Sequence, residues 1–452
     1  MSYSRHFRKN IYLALPIMIS QLGQVAVGVA DSLMVGRLGT EELAAVALGH
    51  SIFIIFLVFG MGLSYGMTPL VAEADGKKNP REIGSLLTDG FWVCLFSGLI
   101  LVVVMLGLIP LFPLLGQDPA IIPKAQGYFF ITVLSFIPLM AFQSFRMLAE
   151  GLSDTKKAMY ITLVCNGLNI LLNLVLIYGL LGLPKLGIYG AALASLLARI
   201  FMMFWMAHYV LKGSRFAYLE KTINLFRTNR MRMKKILNLG IPSGLQFVFE
   251  ASAFSIAAII VGQISATALA SHQIAISLAA VSYIVATGIG AAALVRVGNQ
   301  LGERNFRELK IASNSLFLMA IGWMAFCGLA LLLGRYGLPS LFTTDQEVIQ
   351  LTAGLLLIAV FFQLSDGIQV VALGALRGMK DVKIPTIITF IAYWVISLPL
   401  GYVLGIVFDM GAYGVWYGLA GGLTGAAVLL TYRYYRNLRK LERIFSDGNK
   451  LE

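Results

Sequence analysis

The stretches "GKKNPREI" at residues 76–83 and "GERNFREL" at 302–309 are one motif written twice, 226 residues apart in a 452-residue chain. The match runs outward without gaps. Gly36, Leu43, Ala44 and Ser51 fall on Gly262, Leu269, Ala270 and Ser277. Gly62 and Val71 fall on Gly288 and Val297, and Pro16 on Pro242. Further along, "GLSDTKK" at 151–157 resembles "GMKDVKI" at 378–384, and "GIYGAA" at 187–192 resembles "GAYGVW" at 411–416. A duplication of half the chain at this scale is the mark of a two-lobed architecture.

What each half is made of follows from composition. Apolar and aromatic residues make up 58% of the chain and charged residues 13%, against about 25% charged in an ordinary soluble domain. A globule in water could not hide that much apolar surface. A soluble enzyme, a nucleic-acid-binding domain and a disordered chain are therefore excluded. A span needs about 20 apolar residues. The runs between polar breaks predict twelve helices, at about 11–34, 44–73, 88–110, 125–149, 158–181, 188–211, 235–260, 267–299, 310–334, 347–374, 383–406 and 411–434. Kinks are expected at Pro138 and Pro399. The first run is too long for the apolar region of a signal peptide and reads as a retained helix.

Each repeat holds six spans, and an even number sends both halves into the membrane in the same sense. The expected fold is an all-α polytopic membrane protein, twelve transmembrane helices in two pseudo-symmetric six-helix bundles. The expected divisions are an N-terminal lobe over 1–211, a cytoplasmic linker over 212–234 and a C-terminal lobe with a basic tail over 235–452.

The net charge of +13 does not call for an acidic partner. Most of the Lys and Arg fall at the two termini and in the even-numbered loops. The odd-numbered loops hold Arg37, Lys124, Lys185 and Arg335. By the positive-inside rule both termini are cytoplasmic, and the expected location is the cell inner membrane. Cys94, Cys165 and Cys327 lie in apolar runs, with no spacing for a disulfide framework or zinc site.

Ionisable groups at bilayer depth are functional candidates. Asp31 lies late in helix 1, Glu250 in the middle of helix 7 and Asp366 deep in helix 10. A carboxylate sheltered from water can exchange a proton or an unsolvated Na⁺ for a cationic substrate. Arg199 is the one deep base in this reading and fits a structural ion pair or a snorkelling side chain. On helix 5, Asn166, Asn169 and Asn173 share a face. Their amide oxygens suit a hard cation, or serve as interhelical glue.

Gln21, Gln24, Gln246, Gln273 and Gln363 are further polar candidates between the same two roles. Tyr283 offers a hydroxyl and a ring for cation–π contact; its periodicity suits the core. His50 and His272, isolated on apolar helices, read as packing residues. No phosphate loop, HExxH, CxxC pair or GxSxG elbow appears, so no enzyme is expected and no cofactor. Uphill transport would draw on an ion gradient. A lipid-linked precursor flippase and a non-transporting scaffold are the alternatives, the first disfavoured by an acidic inventory of deep charges.

The proline-led helix 1 ending in "ADSLMVGRLG", the second half opening "LGIPSGLQFVFE", and "LSDGIQ" followed by "ALRGMKD" resemble the multidrug and toxic compound extrusion (MATE) family, and within it the NorM-type bacterial branch. The resemblance covers essentially the whole chain. It implies an antiporter exporting organic cation drugs or toxic small molecules in exchange for Na⁺ or H⁺; a monomer among membrane lipids is the expected state. It also implies that Asp31, Asn169 and Asn173 form an N-lobe cation site and Glu250, Tyr283 and Asp366 a C-lobe one. Asp345, which alone reads as a solvated loop acid, falls on a position of substrate contact. Gln246, Gln273 and Gln363 remain possible contacts.

Overall fold

The computed structural model describes residues 3–180, 182–224 and 226–448, and side chains only as far as 443. The predicted end of helix 5 at 181 lies outside them. Twelve helices are long and apolar enough to cross a membrane, and we number them α1–α12. They are Tyr3–Gly36, Thr40–Gly76, Pro80–Leu115, Ile121–Gly151, Thr155–Tyr178, Ile188–Lys212, Arg230–Gly262, Ala266–Gly302, Phe306–Gly334, Gln346–Gly378, Lys383–Val407 and Gly411–Arg443. No strand occurs among the described residues.

The repeated motif is a helix stop and start. In its first copy α2 ends with Lys78 in left-handed backbone (φ 53°), and in the second α8 ends with Arg304 at φ 54°. The 6→1 bonds that close such ends run from Asn79 N to Ala74 O and from Asn305 N to Gln300 O, the Schellman pattern. Each Asn then caps the next helix by accepting from the amide of Glu82 or Glu308, both at 3.2 Å. Asn at the cap and Glu three residues on supply the orphan amides of a helix start. A second pair repeats too: Ser153 (φ 62°) and Lys380 (φ 63°).

Several spans are longer than their apolar runs. α1 begins at Tyr3 rather than 11, and the α12 helix continues to Gly448 rather than 434. Hydropathy marks the part of a helix in hydrocarbon, not the part hydrogen-bonded beyond it. α2 is interrupted over 65–67, and α4 breaks at Ser135, three residues before Pro138. α11 carries π-helical turns over Ile391–Ser397 and Val403–Val407, flanking Pro399, whose missing amide leaves a carbonyl of the preceding turn free.

Contacts divide the chain into two compact units. The N-terminal unit is Ile19–Gly244. The C-terminal unit gathers the chain up to Met18 with the chain from Leu245 onward. The two cuts fall two residues after Pro16 and Pro242, inside α1 and α7. Each unit thus contains the first half of a helix whose second half belongs to the other.

Within the N-terminal unit, α2 packs on α4, α4 on α6 and α3, and α5 on α6. The first half of α7 approaches the interruption in α2 so closely that a Cβ on Gly66 would meet the Gly240 backbone. The described residues of the 212–234 segment are mostly exposed but are pinned to the unit at several points. Phe216 and Leu219 are buried, and buried Asp89 accepts from Asn229 N (2.7 Å) and Arg232 Nε (2.5 Å).

Within the C-terminal unit, α10 is the central helix, packed on α8, α9 and α12. The first half of α1 seats against Gly288 of α8. His6 and Asn10 there are fully buried. Asn10 donates to Ser315 Oγ at 2.7 Å, and His6 stands 2.9 Å from Glu308 and 3.1 Å from Arg296.

The sequence census of deep charge is corrected by this packing. Besides Glu250 and Asp366, with Asp31 and Arg199 part-buried, the protein buries Asp89, Asp154, Arg296 and the pair Arg146–Glu150, whose Nε–Oε1 distance is 2.6 Å. These extra charges are partnered.

Candidate functional site

In the N-terminal unit a chain of amides leads to one carboxylate. Asp31, on the late turns of α1, accepts from Asn173 Nδ2. The same Nδ2 reaches Asn169 Oδ1 at 3.2 Å, and Asn169 Nδ2 donates to Ser195 Oγ of α6 at 3.3 Å. With its amide turned, Asn169 instead presents Nδ2 to Asp31 Oδ1 at 3.2 Å. The 169–173 spacing stacks both amides on one face of α5, where they are buried. Tyr178 OH, donating to Met34 O at 2.9 Å, pins the end of α5 to the end of α1. Asn166 lies one turn earlier on α5, its Nδ2 without a partner among the described residues.

Arg199, one turn beyond Ser195 on α6, is not paired with an acid at contact distance. Its Nη1 donates to Ser135 Oγ at 2.5 Å, and its guanidinium lies 5.3 Å from the Phe53 ring centroid. Asp31 and Tyr128 lie within its electrostatic reach. His50 is exposed on α2 rather than a core residue, whereas His272 is buried and accepts from Trp416 Nε1 at 3.1 Å.

In the C-terminal unit two acids share a neighbourhood. Glu250 of α7 accepts from Tyr283 OH of α8 at 3.0 Å. Asp366 of α10 lies within electrostatic reach of Glu250. Both are buried. Around them, Trp394 Nε1 donates to Phe249 O at 3.2 Å, and the Phe249 and Phe390 rings stand 4.9 Å apart. Gln363, one turn before Asp366, is 1% exposed, and neither end of its amide finds a partner among the described residues.

Gln246 is buried and accepts from Arg377 Nη2 at 2.9 Å. Gln273 is exposed. Asp345 is exposed and caps α10 by accepting from Glu347 N at 2.9 Å. Gln21 and Gln24 are part-buried on α1.

Three residues join these acids that sequence reasoning passed over. Arg377 counts as a loop charge by composition, but α10 runs on to Gly378 and brings its guanidinium within 4.8 Å of the Phe247 ring, with Glu250 in electrostatic reach. Tyr393 and Trp394 sit on the π turn of α11. Fully buried Tyr393 exchanges hydrogen bonds with Gln369 and lies in electrostatic reach of Glu250 and Asp366. The signal available was Pro399, four residues past Val395.

Comparison with known proteins gives the same frame. A family model described as MatE matches residues 16–175 and 242–403, two ranges that begin at the paired prolines. A probable multidrug resistance protein NorM of Rhodopseudomonas palustris is 36% identical over 95% of this chain and 92% of its own. A multidrug resistance protein NorM of Aliivibrio fischeri is 31% identical over 100% and 99%. A solved multidrug resistance MATE family transporter of the MOP superfamily, in its outward-facing conformation, superposes with a TM-score of 0.88 over 96% of both chains at 23% identity. The eukaryotic MATE transporter AtDTX14 does so at 0.86 and 21%, covering 98% and 99%.

Proposed function

The chain belongs to the MatE family, and on that premise we propose that it is a multidrug efflux antiporter, exporting organic cations in exchange for Na⁺ or H⁺. The relatives are named as multidrug resistance proteins. The observation that carries the exchange reading is how the acids are held. Asp31 is bonded by a neutral amide and Glu250 by a neutral phenol. A carboxylate bonded this way keeps its capacity to take either a coupling ion or a cationic substrate, whereas one locked to Arg, as Glu150 is, does not.

The cycle follows from that competition. An ion entering from outside neutralises the carboxylates and displaces the drug. The loaded protein turns inward, releases the ion, and rebinds drug from the cytoplasm or inner leaflet. A ligand shifts such an equilibrium only by its differential affinity for the two states. The protein would work as a monomer in the inner membrane with both termini cytoplasmic, needing no cofactor and performing no covalent chemistry.

The test is ethidium efflux from proteoliposomes under an imposed Na⁺ gradient, then under a pH gradient alone. Glu250→Gln and Asp366→Asn should each lower ion-driven efflux by about 100-fold. Wild-type efflux in either variant would remove those residues from the exchange. Lipid scrambling without cation export in the wild type would replace the antiporter with a flippase.

A further inference from the structure

Asp31 and Arg199 are each under-satisfied in a complementary way. A carboxylate offers about four lone-pair sites and a guanidinium five N–H groups. Among the described residues Asp31 receives the amide of Asn173 and, with its amide turned, that of Asn169, and one hydrogen bond leaves Arg199, to Ser135. An isolated charge at membrane depth is costly, so each is a strong potential partner for the other. Their elements already bring them together. Ser195 and Arg199 are four apart on α6 and share a face. Ser195 accepts from the amide chain that ends on Asp31, and the two charges lie in electrostatic reach. Yet the guanidinium is turned to a hydroxyl and an aromatic ring.

The position of that hydroxyl matters. Ser135 is the residue at which α4 breaks, between Leu134 and Phe136. The oxygen that holds Arg199 away from Asp31 therefore sits on a joint between two helical segments, where a change of bend moves it.

We propose that Arg199 is a tethered counter-cation for Asp31. It leaves Ser135 for the Asp31 carboxylate as the bound cation departs, and returns to Ser135 and Phe53 when the next cation arrives. It is a positioning residue that sets the release half of the exchange. The inference rests on the reading of Asp31 as an exchange carboxylate. Asp31 then never stands bare at depth, and release of a tightly held cation no longer carries the cost of exposing it.

The full-length protein in proteoliposomes tests this, with ethidium as cargo and Na⁺ or proton concentration varied to give an apparent KM and a maximal rate. Arg199→Gln removes the competitor, so the KM for the coupling ion should fall about tenfold while the maximal rate also falls, because release slows. Ser135→Ala removes the resting place and should shift the KM upward. In Asp31→Asn, adding Arg199→Gln should change nothing further. An Arg199→Gln KM that is unchanged, or raised, overturns the proposal. If Arg199→Gln does not fold, the sign of the Ser135→Ala shift decides, an unchanged or lowered KM overturning it. Asp31→Asn alone separates the two levels. Wild-type ion dependence there sinks the reading of Asp31, whereas lost dependence with an unmoved Arg199→Gln KM sinks only the counter-cation.

Discussion

The two units share a backbone and differ in chemistry. Lys78 and Arg304, and Asn79 and Asn305, repeat almost to the degree in backbone angle. The deep acids of the candidate sites do not repeat. Shifted by the 226 residues of the repeat, Asp31 falls on Ala257, Asp366 on Met140, and Glu250 on Gln24. The N-terminal unit surrounds one carboxylate with amides from α5. The C-terminal unit sets two carboxylates among Tyr283, Tyr393 and Trp394. Duplication supplied a frame that places mid-span side chains, and point substitutions gave each copy its own site, as expected when function is grafted on a fold.

That contrast can be broken by experiment. Tyr283→Phe takes the phenolic donor from Glu250, and the amide one turn back on α7, Gln246, is engaged with Arg377. Its loss should lower the coupling-ion KM about tenfold, because a hydrogen bond to a charged group favours the ion-free carboxylate. Asn173→Ala should lower it only about threefold, because Asn169 can turn its amide to Asp31 and recover part of that energy. Equal effects from the two variants would mean that the amide relay does not compensate. Flux measured against ion concentration checks both.

Gln363→Met addresses the C-terminal unit alone. It exchanges a buried amide without partners among the described residues for an apolar side chain of similar size. The thermal midpoint in detergent should rise by about 2–4 °C while ion-driven efflux falls. A lower midpoint would assign the amide to packing. The smallest effects belong to the shared frame. Asn79→Ala and Asn305→Ala should each cost about 1 kcal/mol, equal within error by denaturant titration, because the two caps are geometrically the same.

Most of the fold and the three central acids of the candidate site are legible in the sequence itself. Twelve apolar runs, a 226-residue repeat and carboxylates at depth need only hydropathy and counting. What stays hidden lies where composition and geometry part. "SRHFRKN" at 4–10 looks like a solvated terminus. Yet His6 and Asn10 are fully buried, because Glu308, Arg296 and Ser315 offset the loss of water around them. Arg377 looks like a loop charge, and only the extension of α10 past it says otherwise. A polar residue's partner is a tertiary fact, and no window along the chain reports it. The same holds for Tyr393, which faces its neighbours because a π turn shifts the register of α11, and a 3.6-residue period cannot show that.

The exchanged helix halves also set a timetable for synthesis. His6 and Asn10 leave the ribosome some 300 residues before Arg296, Glu308 and Ser315, which receive them. At about 5–20 residues per second that is a wait of roughly 15–60 s. During it the first half of α1 has no unit to join, while the first half of α7 meets a unit already made. The C-terminal unit is thus closed by a segment made well before the rest of that unit.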